Sequence, residues 1–87
     1  MTKYKINKGF ITQRLDNKTV IFDGEESVLY TFNETASYIF SKLKLGWDKE
    51  KIKDGLAKRY GISEKKAEAD LKDLIKDLLK KKIICKI

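Results

Sequence analysis

Histidine is absent from this sequence, cysteine occurs once, at Cys85, and the side chains left for chemistry are thirteen carboxylates and twenty basic groups, only two of them Arg. A zinc site of the Cys/His type needs three or four such ligands, and a nucleophilic triad or dyad needs an imidazole as its base. Neither can be assembled here. Phosphate-cradling loops of the GxGxxG or GxxxxGK kind are missing, and the five glycines are scattered. The carboxylates alternate with lysines in helical segments, the pattern of a solvated face and not of a paired acid and base. The composition therefore argues against an enzyme, and it implies no metal or cofactor. Cys85 cannot form an internal disulfide and is expected as a small hydrophobe or an exposed terminal thiol.

The elements that must carry any other function are few. The chain has 87 residues, 41% of them hydrophobic and 38% charged, enough for a single domain across 1–87 with one modest core. No apolar run approaches the ~20 residues that span a bilayer. The first residues, MTKYKINKG, lack the apolar centre of a signal peptide. A cytoplasmic protein with no membrane partner is expected.

Along the chain, residues 1–8 are polar and expected to fray. GFITQRL is a strand with apolar Phe10, Ile11 and Leu15, Asp16-Asn17 is a turn, and KTVIFD is a second strand. Asp23-Gly24 is a stronger turn signal, followed by ESVLYTF, with Val28, Tyr30 and Phe32 on one face and Leu29 and Thr31 on the other. Three strands with short turns make an antiparallel meander. The rest is helical. Asn33 caps a helix running to about Leu45 and stopped by Gly46, Asp48 caps a second that Gly61 ends, and Ser63 caps a third from Glu64 to about Lys81. The third helix carries the stripe Ala67, Leu71, Leu74 and Leu78, and IICKI closes the chain as an extended tail. The fold class is α+β, three strands and then three helices.

The net charge of +7 raises nucleic acid as a rival partner. The run LAKRYGISEKKA has the small and apolar positions of a helix-turn-helix, with Gly61 at the turn. A recognition helix, however, offers basic and base-reading side chains near its start. The third helix opens Glu64-Lys65-Lys66 and then carries Glu68, Asp70, Asp73 and Asp77, which phosphates would repel. The charge argues against nucleic acid, and a winged-helix DNA-binding or transcription-associated module stands as the alternative reading.

The run LYTFNETASYIFSKLKLGWDKEKI resembles the signature of the PqqD family. There an extended segment ends in Leu-Asn-x-Thr-Ala, a helix with an Ile-Trp pair follows, then a Gly, then a capped helix. Asn33, Thr35, Ala36, Ile39 and Gly46 match, while Phe32 stands for the usual Leu and Phe40 for the usual Trp. Downstream, YGISEKKAEADLKDLIKDLLKKKII resembles the family's third helix and ending, with Lys82 where a Gly is usual, so the likeness spans residues 10–84. The resemblance implies a winged-helix-like fold and a recognition element for ribosomally made, modified peptides. Such elements bind the leader of a precursor peptide and present it to a modifying enzyme, a radical SAM enzyme or a leader peptidase among them.

The residues themselves favour a strand-addition site. A meander leaves an outer strand with unpaired N–H and C=O groups that an extended peptide can satisfy. The strand at 27–32 has no proline or lysine to block it, so Ser27, Val28, Leu29, Tyr30, Thr31 and Phe32 are the expected docking edge. Ile75 and Leu79 widen the apolar face of the third helix and, with Leu74, are expected to floor a groove beside that edge. Glu68 and Lys72 are expected at its rim. Trp47 is expected as a packing anchor.

Overall fold

The computed structural model describes residues 3–16 and 18–87. Asn17, half of the expected first turn, and residues 1 and 2 lie outside the described residues. A strand β1 (Tyr4–Ile6) precedes the meander β2 (Phe10–Leu15), β3 (Lys18–Asp23) and β4 (Val28–Phe32); helices α1 (Glu34–Lys44), α2 (Lys49–Tyr60) and α3 (Glu64–Lys80) follow, then β5 (Ile84–Lys86). The meander is an antiparallel sheet in the order β2-β3-β4. The α+β order of three strands and three helices is thus as expected from the sequence.

The start of the chain is not as expected. Residues 4–6 do not fray but pair with the closing IICKI, which is extended as expected. The two form a second antiparallel sheet, with Tyr4 opposite Lys86 and Ile6 opposite Ile84. The Asn7 amide donates to the Ile83 carbonyl at 2.9 Å and its side-chain amide to the Lys82 carbonyl at 2.7 Å. Tyr4, Ile83 and Ile84 are buried. Apolar burial at three positions offsets the entropy of ordering two short polar strands.

Each helix starts on the expected cap: Asn33, Asp48 and Ser63 accept from the amides of Ala36, Lys51 and Lys66. Below the sheet, Ile21 of the central strand meets Phe32, Phe40 and Leu43 in a core completed by Ile52, Leu56, Leu71, Ile75 and Leu78. Phe32 and Phe40 pack edge to face with ring centres 5.7 Å apart, a favoured aromatic geometry. The buried stripe of α3 is Ala67, Leu71, Ile75 and Leu78, whereas Leu74 is only half-buried. Three of the four expected positions hold, and the stripe turns by a small fraction of a helical turn so that Ile75, and not Leu74, is buried.

The ends of α1 and α3 use the same closure. At α1 the Gly46 amide donates to Leu43 and the Trp47 amide to Lys42; at α3 the Lys82 amide donates to Leu79 and the Ile83 amide to Leu78. This paired closure requires a left-handed residue in the middle. Gly46 adopts φ +83, and Lys82 adopts φ +60. A lysine there is strained, and it stands at the position where the resembled sequences carry glycine. Lys82→Gly should therefore raise the stability of the fold by about 0.5–1 kcal/mol, read as an upward shift of the thermal midpoint. An unchanged or lower midpoint would show that Lys82 makes compensating contacts.

Candidate functional site

The outer side of β4 has no strand neighbour among the described residues. Its backbone polarity follows from one contact and the alternation of an antiparallel ladder. The Gly24 amide donates across to the Gly9 carbonyl at 3.1 Å, so even-numbered residues at this end of β3 face β2 and odd-numbered ones face β4. Thr19, Ile21 and Asp23 pair with Phe32, Tyr30 and Val28. Those three β4 residues are therefore the hydrogen-bonded ones, and the N–H and C=O of Leu29 and Thr31 point to the open side. The edge thus offers two donors and two acceptors in strand spacing.

The ends of this edge are fixed. Asp23 Oδ1 accepts from the amides of Glu25 and Glu26 at 3.0 and 3.1 Å, which ties down the loop before β4. Ser27 belongs to that loop and not to the strand, with φ +55. At the other end the buried Ser37 hydroxyl donates to the Phe32 carbonyl at 3.3 Å, and Asn33 Oδ1 accepts from the Thr35 hydroxyl as well as from Ala36. These bonds tie the sharp strand-to-helix joint together and place the edge beside the first turn of α1.

Beyond that corner a groove of about 530 Å³ runs between α1 and α3. Asn33 and Thr35 form one wall; Ala36, Ile39, Ile62 and Leu74 form an apolar floor; Lys66, Asp70, Asp73 and Asp77 form the other wall. Lys81 joins groove and edge: its ammonium lies 5.6 Å from the centre of the Tyr30 ring and pairs with Asp77.

The expected site residues divide accordingly. Val28, Leu29, Tyr30, Thr31 and Phe32 form β4, with Leu29 and Thr31 exposed and Phe32 buried beneath. Leu74 lines the groove. Ile75, 4% exposed, belongs to the core, and Leu79 is 40% exposed; neither is among the residues that line the groove. Glu68 and Lys72 lie in a separate hollow with Lys49, Glu50 and Lys53 of α2, apart from Leu74. In that hollow the Glu50 carboxylate, 3.0 Å away, holds the Lys53 ammonium above the usual lysine range by hydrogen bonding and charge. Trp47 packs against the core, with Lys42 and Lys51 at 4.6 and 4.3 Å from its ring centre.

Sequence reasoning missed the polar groove wall. The signal was present: Asp70, Asp73 and Asp77 are spaced three and four apart and flank Leu74, which puts them on one helical face.

The profile of the family described as coenzyme PQQ synthesis protein D (PqqD) matches residues 18–84. Among solved structures, the chain superposes on TbiB1 in complex with the TbiA(beta) leader peptide with a TM-score of 0.85 at 24% identity, covering 92% of this chain and 93% of that one. It superposes on lasso peptide synthetase B1 complexed with the leader peptide with a TM-score of 0.88 at 20% identity, covering 95% and 98%. At these identities the likeness is one of fold. No curated protein matches the chain.

Proposed function

The chain belongs to the PqqD family, and from that premise we propose that it is a non-catalytic adaptor that binds the leader segment of a ribosomally made precursor peptide and presents it to a modifying enzyme. The observation that carries this reading is the open edge of β4, with the outward N–H and C=O of Leu29 and Thr31, beside a groove with an apolar floor. A disordered leader docking there becomes a fourth strand, gains main-chain hydrogen bonds, and continues past Phe32 into the groove. That both structural neighbours were solved with leader peptides supports the same reading. The modifying enzyme is of the radical SAM or leader-peptidase class, and the adaptor works without a cofactor of its own. The place of action is the cytoplasm, where ribosomal products first meet their enzymes; no helix among the described residues is long and apolar enough to cross a membrane.

The test is a search of the neighbouring genes for a short precursor peptide, then a salt titration with its synthetic leader, run against a duplex DNA control. Main-chain bonds and apolar contacts are unscreened, so affinity for the peptide should fall by about tenfold at most between 50 and 200 mM salt. Amide shifts should concentrate on residues 28–32 and on the groove face of α3. Tight DNA binding that weakens by ~10³ or more over that salt range, with no peptide affinity, would favour the DNA-binding alternative.

A further inference from the structure

Resting on the leader-binding reading, we infer that the peptide segment entering the groove carries an apolar side chain flanked by Lys or Arg, so that this protein selects cationic leaders despite its own net charge of +7. The net charge would suggest the opposite preference, but the local charge decides. The groove is a site because of its apolar floor, Ala36, Ile39, Ile62 and Leu74, and its continuity with the β4 edge. Its charge is carried by one wall. Asp70, Asp73 and Asp77 stand in a row on α3, and the facing wall, Asn33 and Thr35, is neutral.

Two of the three aspartates are already occupied. Lys66 lies 3.7 Å from Asp70, and Lys81 pairs with Asp77 while it covers Tyr30. Asp73 has no ion-pair partner among the described residues and sits between the two pairs, one helical turn from Asp70 and Asp77. A peptide seated on the floor displaces water from this wall, which lowers the local dielectric and strengthens whatever charge interaction remains. An acidic peptide would meet Asp73 as a like charge. An apolar helix, such as a face of a second copy, would bury Asp73 unpaired at large cost. A basic side chain reaching over the rim satisfies Asp73 while its apolar neighbour fills the floor, so the same geometry attracts one class of leader and repels the other.

The experiment selects binders to the full chain from a displayed library of random short peptides. Recovered sequences should carry Lys or Arg within two positions of a Leu, Ile, Val or Phe. The best binder is then synthesised with that cation unchanged and replaced by Glu. The replacement should weaken binding by about tenfold, and the double variant Asp73→Asn/Asp77→Asn should erase most of the difference. Circular dichroism checks that the variant is folded, as expected for two side chains on the helix surface. Binders with no charge bias, binders rich in Asp or Glu, or a bias unchanged in the double variant would overturn this inference and leave strand addition standing. Failure to recover any peptide, alongside failure of the synthetic leader from the neighbouring genes to bind, would overturn both.

Discussion

Thr31→Pro and Leu29→Pro should each weaken leader binding by about 10- to 100-fold while the domain stays folded. Proline has no amide proton, so at either position it removes one outward donor and leaves a carbonyl of the docked strand unsatisfied, a loss of about 1–3 kcal/mol. Both residues face away from β3, so the internal ladder keeps its bonds, and proline is tolerated on a strand's free side. The contrast lies one residue away. Tyr30 faces Ile21 in a hydrogen-bonded pair, and Tyr30→Pro should break the β3–β4 ladder and lower the thermal midpoint markedly. Fluorescence anisotropy with labelled precursor peptide and thermal melts followed by circular dichroism give the two readouts. If Thr31→Pro binds as the parent does, the peptide does not add to this edge. Arg14→Pro on β2, the other outer strand of the sheet, would then be the variant to lose binding.

The second large effect separates two adjacent residues. Ile75→Asp should unfold most of the protein, whereas Leu74→Asp should leave it folded and impair docking. Ile75 is 4% exposed and packed in the core. Truncating such a side chain costs about 2–5 kcal/mol before the penalty for a buried charge is added. Stabilities of about 0.05–0.15 kcal/mol per residue leave a chain of 87 residues little reserve. Leu74 is half-buried on the groove floor, so a carboxylate there stays hydrated in the free protein and clashes only with an apolar anchor. A melt and a binding isotherm on each variant suffice. A stable Ile75→Asp, or a Leu74→Asp that binds normally, would mean that α3 presents a different face to the peptide.

How much of this was legible in the chain depends on the range of the interaction concerned. The three helix starts were readable because a cap is a local event: Asn33, Asp48 and Ser63 bond amides three residues on. The meander was readable because turns and alternation are local too, and the pleat puts Leu29 and Thr31 on one face, but the outward direction of their N–H groups follows only from the pairing with β3. The NETA corner was legible as a helix start, and the tertiary structure adds the Ser37 bond to Phe32 that ties the helix to β4.

The rest was decided at long range. No pattern in MTKYKINKG announces a strand, since Tyr4–Ile6 becomes one only by pairing with residues 84–86 at the far end of the chain. The spacing of Ala67, Leu71, Leu74, Ile75 and Leu78 admits two overlapping stripes, and the helices packed against α3 choose the one that buries Ile75 and turns Leu74 to the groove. Glu68 and Lys72, adjacent to that stripe in sequence, fall on the side that meets α2. Lys82 takes the left-handed conformation because burying Ile83 and Ile84 demands that bend. The sequence by itself determined the meander, the three helices, their order and the absence of imidazole and clustered thiols. The tertiary structure decided which side chains of α3 share a groove with the free strand, because a helix's roll is set by the partners it packs against and not by its own periodicity.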